Sequence, residues 1–245
     1  MGAMFEELDY WPTEIGALTL RRRWEPRLGR DVYEIHLGGE SLMTSAITES
    51  EVALADLGLA AAGANRPLDV VVGGLGLGHT AHAALAHDTV QSLIVVEMLE
   101  GVLSWHERGL LPLSAQLTED PRCRLVQGDF FALASAASGF DPDRPGRRFD
   151  AILVDIDHSP EMLLDDRSTA FYGPDGLRAL AAHLTPGGVF GLWSNDRPDP
   201  AFADRLGQAF AHARAEPVTF HNPFQDRPFT QTVYLGQTAA ATSSP

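Results

Sequence analysis

The stretch that decides the fold runs from Asp69 to Thr80 and reads DVVVGGLGLGHT, a β-branched run that leads directly into four glycines. The valines predict a buried strand. The glycines predict a tight turn where a ligand can approach the backbone closely, with the amides of a following helix beyond it. The stretch therefore predicts a nucleotide-binding turn between a strand and a helix.

Short apolar runs alternate with helical patterns from Leu68 onward. Strands are predicted at LDVVVGG, SLIVVE, CRLVQGD, FDAILVDID and GGVFGLWSND, and PVTFHN and QTVYLGQ predict a closing pair. Runs that are apolar on both faces and separated by helices are typical of a parallel sheet. The fold class is therefore predicted to be α/β, with a doubly wound, mostly parallel, Rossmann-like sheet.

The segment before Leu68 has a different pattern, because GALTLRRRW, RDVYEIHLGG and ESLMTSA alternate in twos between turns. This predicts a small antiparallel sheet. A helix follows, with Thr48 predicted as its N-cap and Glu51 completing a capping box. We therefore expect a β-rich N-terminal domain at 1–47, an α/β domain at 48–237 and a disordered tail at 238–245.

Composition excludes several classes of function. The formal charge of −15, from 33 acidic and 18 basic side chains, opposes binding to nucleic acid or to an anionic membrane. All the basic side chains are arginine, so Schiff-base and P-loop lysine chemistries are excluded. The single Cys123 cannot form an internal disulfide, and no zinc motif is present, so no metal is expected.

The location of the protein is expected to be cytoplasmic. No apolar run approaches the roughly 20 residues of a membrane span. The first residues, MGAMFEELDYWP, are acidic where a signal peptide would be basic and then apolar.

Carboxylates follow the strands that come after the glycine turn. Glu97 ends the second strand, at the distance where an acidic side chain accepts hydrogen bonds from ribose hydroxyls. Asp129 ends the third strand, where an adenine amine could donate to it, and Asp155 and Asp157 end the fourth. Because these strand ends meet at one crevice, they predict a nucleoside site. A nicotinamide dinucleotide is the competing ligand, although it has no need of the later carboxylates.

The stretch from Leu68 to Ser194, with VVGGLGLGHT, VVEMLEG, LVQGDFF and ILVDIDHSP, resembles the spermidine synthase-like branch of the class I S-adenosylmethionine-dependent transferases. The resemblance implies that the chain is an enzyme, with a small-molecule acceptor and a homodimeric assembly. It also implies roles for individual residues. The donor would contact Gly74, Gly76, Gly78, Glu97, Gly128 and Asp129, and Asp155 would border both the donor and the acceptor amine.

Three departures from the family pattern bear on the reaction. Aminopropyltransferases carry an aspartate in the glycine turn where this chain has Gly76, the second acid after the fourth strand is displaced to Asp157, and the first long helix lacks its tyrosine. An aspartate in the turn would repel the carboxylate of intact S-adenosylmethionine, so Gly76 permits that donor. Methyl transfer is therefore the main prediction. Aminopropyl transfer from decarboxylated S-adenosylmethionine is the alternative, and a non-catalytic nucleoside-binding homologue is the second alternative.

Either reaction is a displacement at a carbon bound to a sulfonium, and it needs an aligned, neutral acceptor amine. Asp155 and Asp157 are the predicted catalytic residues, since they could orient a protonated amine and take its proton. In the competing interpretation only Asp155 lines the pocket and Asp157 caps the following segment. Tyr172, Trp193 and Asp196 are further candidates for the wall of the acceptor pocket.

Overall fold

The computed structural model describes residues 5–63 and 65–241. An antiparallel sheet at the N-terminal end contains β1 (Phe5–Thr13), β2 (Gly16–Glu25), β3 (Arg30–Leu37) and β4 (Glu40–Thr44), in that order. The sequence predicted this sheet but not β1, whose FEELDYWPT is largely acidic. The strand is held by charge pairing, because Arg22 of β2 donates to Glu6 at 2.6 Å.

The rest of the chain alternates helices and strands. The elements are α1 (Glu49–Ala62), β5 (Leu68–Gly73), α2 (His79–Leu85), β6 (Val90–Glu97), α3 (Glu100–Glu107), α4 (Ser114–Thr118), β7 (Cys123–Gln127), α5 (Phe130–Ser135), β8 (Phe149–Val154), a 3₁₀ segment (Asp166–Tyr172), α6 (Pro174–Ala181), β9 (Leu184–Ser194), α7 (Pro200–Gly207), β10 (His212–Asn222) and β11 (Arg227–Gln237). The predicted strands and the closing pair are all present, which confirms the fold class.

Seven strands form the large sheet in the order β10-β11-β9-β8-β5-β6-β7. The strands from β9 to β7 pair in parallel, and the hairpin β10–β11 adds an antiparallel edge. The chain first winds from β5 outward to β7 and then returns to the other side of β5 with β8. This reversal places a crevice at the carboxyl ends of β5 and β8, where open α/β sheets bind ligands.

Both faces of the large sheet are buried. On one face Val70 and Val72 of β5 pack with residues of α1, α2 and the N-terminal sheet. On the other face Val71 packs with an aromatic cluster built around Phe171 and Phe190. Strands that are covered on both sides explain why the sequence reads as continuous apolar runs rather than as alternation. None of the helices in the two described ranges is long and apolar enough to cross a membrane.

The N-terminal sheet is fixed to the α/β unit through α3. Trp105 of this helix is fully buried, and its indole Nε1 donates to Asp9 of β1 at 3.0 Å. Gly101 permits the close approach, since a Cβ there would lie 2.9 Å from Trp11 and 3.0 Å from Leu18. The small sheet is therefore positioned over the glycine turn rather than free to move.

At the other end of the described chain, residues just beyond β11 still contact the sheet. The backbone amide of Thr238 donates to Gly188, and the carbonyl of Ala239 accepts from Gly187. These contacts differ from the disorder predicted for this part of 238–245, because they continue the pairing of β11 with β9 past Gln237. Residues 242–245 of that predicted tail lie outside the described residues, and so do residues 1–4. The boundaries at 47 and 237 stay a proposal.

We predict that Trp105→Ala lowers the free energy of unfolding by about 3–5 kcal/mol, because it leaves a cavity and removes the bond to Asp9. Urea unfolding at neutral pH measures this loss. The matched control is Trp24→Ala, which removes an indole that is 46% exposed and should change stability by no more than about 0.5 kcal/mol. Equal losses in the two variants would show that α3 does not anchor the small sheet.

Candidate functional site

A cavity of about 680 Å³ opens at the carboxyl ends of β5, β6, β7 and β8. Its volume lies in the range of small-molecule sites, roughly 300–1,000 Å³. The parallel sheet supplies one wall, and the small sheet with the β10–β11 hairpin supplies the other. The crevice predicted from the strand ends is therefore closed on its far side by elements outside the nucleotide-binding motif.

The turn requires glycine at two positions because other parts of the chain pack closely against its backbone. Gly74 has a φ of +92°, and a Cβ there would lie 2.1 Å from the carbonyl oxygen of Asp155. Gly76 has a φ of +47°, and its Cβ would lie 2.2 Å from the sulfur of Met43 on β4. That sulfur accepts a hydrogen bond from the Leu77 amide at 3.0 Å. The thioether thus occupies the space beside Gly76.

Not every predicted contact of the turn reaches the cavity. Gly74 and Gly76 line it, as do Gly128, Glu97 and Asp129. Gly78 is absent from the wall, because it begins α2 and packs against Leu117.

Glu97 is buried at the end of β6 and accepts backbone hydrogen bonds from the turn. Its Oε2 accepts from Leu75 at 3.0 Å, and its Oε1 accepts from Leu99 at 2.8 Å. Desolvation raises the pKa of this carboxyl, while the backbone amides oppose the rise. The side chain still borders the cavity, so it has lone pairs to offer a ribose hydroxyl.

Asp129 ends up at the N-cap of α5. Its Oδ1 accepts from the amides of Phe131 and Ala132 at 2.9 and 3.1 Å. The side chain is exposed at the cavity wall, and its second oxygen makes no hydrogen bond within the described chain. Capping therefore orients this carboxylate and leaves one oxygen for an amine of a ligand.

Glu51 is the residue that the sequence analysis assigned wrongly. The predicted capping box does not form: Thr48 precedes α1, but its side chain makes no capping hydrogen bond. Glu51 instead lies buried at the cavity wall, close enough to Asp155 for the two carboxyl groups to interact electrostatically. A capping-box glutamate reaches back to the N-cap of its helix, whereas here Glu51 is buried beside Ser50, which contacts Trp193 of β9 and Gln231 of β11.

The two carboxyl groups hold their protons unusually tightly. Burial and the charge of Asp155 raise the pKa of Glu51 from 4.5 to about 8. Burial raises the pKa of Asp155 from 3.8 to about 6, against the lowering effect of a hydrogen bond from Thr80 at 2.7 Å. Near neutral pH the pair therefore carries about one proton, held mainly by Glu51.

The hydrogen bonds around Glu51 support this assignment independently. Ser50 Oγ lies 2.8 Å from Glu51 Oε2 and 2.7 Å from Gln231 Oε1, and it accepts from the Trp193 indole at 2.8 Å. Gln231 is oriented by Asn195, which accepts from its Nε2 at 2.9 Å. One serine hydrogen cannot serve both oxygens. If Glu51 is protonated, it donates to Ser50, and Ser50 is then free to donate to Gln231. Each oxygen in this series of hydrogen bonds then has a donor.

Asp157 lies in a different environment from Asp155. Its oxygens accept from the Leu164 amide at 2.7 Å, from Tyr172 at 2.7 Å and from Ser168 at 3.3 Å. It is 2% exposed, and burial raises its pKa against these hydrogen bonds. These contacts tie the loop after β8 to the 3₁₀ segment.

Two of the three predicted wall residues lie outside the wall. Trp193 lines the cavity, whereas Tyr172 is buried behind it against Asp157. Asp196 is exposed beyond the end of β9, away from the cavity. The hairpin contributes two aromatic residues to the wall, Phe220 and Phe229, which the sequence analysis did not single out.

Comparison with known proteins identifies relatives of this arrangement. The family model described as a spermine/spermidine synthase domain matches residues 50–198. A polyamine aminopropyltransferase 2 of Pseudomonas aeruginosa is 25% identical over 169 residues, which are 63% of this chain and 43% of that protein. A polyamine aminopropyltransferase of Pyrobaculum islandicum is 28% identical over 123 residues, 50% of this chain and 40% of that protein.

A solved structure shares the fold over nearly the whole chain. The spermidine synthase of Thermotoga maritima aligns with a TM-score of 0.69 at 17% identity, covering 96% of this chain and 74% of that one. The matches to the curated relatives span less than half of their lengths.

We predict that Glu51→Gln becomes more stable relative to the unsubstituted protein as pH rises from 5 to 9. The proton on Glu51 favours the folded state fully below the unfolded pKa of 4.5, and this contribution is lost as pH rises through about 8. The side-chain amide of the variant does not ionise between pH 5 and 9, so the variant does not undergo this pH-dependent loss of stability. Thermal unfolding across the pH series measures the difference.

The matched control for this series is Glu107→Gln, which removes an exposed carboxylate on α3. The stability of this control variant relative to the unsubstituted protein should not increase as pH rises from 5 to 9. A constant difference for Glu51→Gln across the series would contradict the shared proton.

Proposed function

Because this chain belongs to the family of spermine/spermidine synthase domains, we propose that it transfers an aminopropyl group from decarboxylated S-adenosylmethionine to an amine. The observation that carries the proposal is the charge of the cavity wall. Six carboxyl groups line it: Glu51, Glu97, Asp129, Asp155, Asp157 and Asp165. Asp165 is paired with Arg167 and Glu51 holds a proton near neutral pH, but the other acids still outnumber the basic side chains at the wall. A sulfonium and an amine are cations, and this wall favours both.

Methyl transfer, the main prediction from the sequence, receives no support from the relatives named above. The glycine turn also argues against intact S-adenosylmethionine as the donor. Its Leu75 amide donates to Glu97, and its Leu77 amide donates to Met43. These amides are therefore not free to bind a carboxylate, so the absence of a side chain at Gly76 does not create an anion site.

Cationic side chains at the wall do not change this conclusion. Among the described residues that line the cavity, Arg167 and His158 are the basic ones. Arg167 is bound to Asp165, with its Nε 2.7 Å from Oδ2. A donor that has lost its carboxylate fits this environment better than the intact one.

In the proposed reaction the donor, when bound, supplies a carbon whose bond to the sulfonium breaks as the amine nitrogen attacks it, which releases neutral methylthioadenosine. The residues of the chain hold the acceptor and manage its proton. Asp155 lies beside the glycine turn with one oxygen fixed by Thr80. It orients the acceptor ammonium, and the free carboxylate takes the proton that the amine loses before attack. Glu51 holds a proton in the free protein, and we expect the positive charge of the bound donor to displace that proton.

We assign Asp157 a positioning role rather than contact with the acceptor. All its described hydrogen bonds come from the loop 158–168 and from Tyr172. The competing interpretation from the sequence likewise gives Asp157 a role in stabilising the following segment, but it left Asp157 out of the pocket wall, which Asp157 does line. The catalytic role proposed for the pair is therefore assigned to Asp155, with Glu51 as its neighbour.

We predict that calorimetric titration shows tighter binding of decarboxylated S-adenosylmethionine than of the intact form. In product assays by mass spectrometry with a panel of amines, Asp155→Asn should lower turnover by about 10²–10⁴-fold, because it removes the proton acceptor. Its effect on donor affinity should be much smaller.

Asp196→Asn is the matched control, since it removes an exposed carboxylate that does not line the cavity, and it should leave turnover unchanged. Tighter binding of intact S-adenosylmethionine would contradict the proposal and favour methyl transfer as the reaction. Binding of neither donor would instead identify a non-catalytic homologue.

A further inference from the structure

The carboxyl groups of the cavity are unevenly distributed around its wall. Glu97 and Asp129 lie at the ends of β6 and β7, on the side assigned to the nucleoside. Asp157 is bound by its own loop, and Asp165 is paired with Arg167. Within residues 5–63 and 65–241, Glu51 and Asp155 are thus the carboxyl groups at this wall left to meet an acceptor amine.

The opposite wall is apolar and aromatic. Phe220 of β10 and Phe229 of β11 are directly paired across the hairpin, with ring centroids 5.9 Å apart. Both rings line the cavity together with Trp193. Ile35 and Leu37 of β3 in the small sheet line the same cavity. These side chains offer a surface for the hydrocarbon or aryl body of a ligand.

The polar side chains that the hairpin and the end of β9 contribute to this side of the wall are amides. Asn195 and Gln231 bind each other next to Ser50, and Asn222 accepts from the turn amides of Phe224 and Gln225. The nearest acid on the hairpin tip is Asp226, whose side chain is 95% exposed and which does not line the cavity. A second ammonium group at this end would therefore be desolvated without a counter-ion, which is costly.

We infer that the acceptor is a primary monoamine with an apolar or aryl body, rather than a diamine. Its amine nitrogen lies at Asp155 and Glu51, and its body lies against Phe220, Phe229 and Trp193. This inference rests on the proposed function, since it names the acceptor class for the same site.

Binding is tested by calorimetric titration of the full chain saturated with methylthioadenosine. The probes are hexylamine, 2-phenylethylamine and 1,6-diaminohexane, of which the first and last differ only in the distal ammonium. Hexylamine should bind at least about tenfold more tightly than the diamine, because burial of an unpaired charge is unfavourable. Equal or tighter binding of the diamine, or binding of none of the amines, would overturn the inference.

A paired substitution tests the cause of the preference. Asn222→Asp keeps the oxygen that accepts from the turn and adds a carboxylate at the apolar end, so the preference for hexylamine should shrink or reverse. Gln208→Glu adds the same charge at an exposed position after α7, and it should leave the ratio unchanged. A similar change in both variants would mean that overall charge, rather than the cavity wall, sets the preference.

A transfer assay with decarboxylated S-adenosylmethionine separates this inference from the proposed function. Faster transfer to the diamine than to hexylamine would leave the proposed function standing and overturn the monoamine acceptor. Preferential binding of hexylamine without transfer to any amine would support the monoamine site and overturn the proposed function.

Discussion

The site depends on the electrostatic interaction between Glu51 and Asp155 in a buried crevice. Burial disfavours the charged form of both carboxyl groups, and the charge of Asp155 raises the pKa of Glu51 further, so the pair keeps a proton near neutral pH. The surrounding hydrogen bonds fit that state. Thr80 donates to Asp155, whereas the hydrogen bonds of Ser50, Trp193 and Gln231 are complete when Glu51 is protonated. In the free protein one carboxylate therefore faces the cavity while its neighbour is neutral.

The geometry that brings the pair together comes from three separate parts of the chain. Asp155 ends β8 next to the glycine turn, and Gly74 allows its carbonyl to approach the turn backbone. Glu51 comes from the first turn of α1, under the antiparallel hairpin. The small N-terminal sheet supplies Met43 against the same turn. The parallel sheet thus provides the half of the cavity that we propose binds the nucleoside, and the elements added around it provide the half that we propose binds the acceptor.

Much of the parallel sheet could be predicted from the sequence, because strands buried on both faces have a continuous apolar pattern. Glu97, Asp129 and Asp155 were located for the same reason, since strand ends in a parallel sheet meet at one edge. Glu51 was missed because a local motif, an acid three residues after a threonine, looked sufficient to explain it. Its real environment is set by Trp193 and Gln231, more than 140 residues away in the chain.

The same limit applies to the rest of the acceptor wall. Phe220 and Phe229 read as ordinary strand residues, and only the pairing register of the hairpin places them opposite each other at the cavity. Met43 likewise gives no signal in the sequence, because its contact with the glycine turn depends on how α3 positions the small sheet. Strand β1 was missed since its acidic residues are stabilised by arginines of the neighbouring strand rather than by burial.

The most direct test of the shared proton is the number of protons released when the donor binds. Titration of decarboxylated S-adenosylmethionine at pH 7, in two buffers with different ionisation enthalpies, gives this number. Since a bound cation lowers the pKa of nearby carboxyl groups, we expect release of a substantial fraction of a proton, roughly 0.5–1 per donor, and much less from Glu51→Gln. Binding without proton release, or equal release by Glu51→Gln, would contradict a proton held by Glu51.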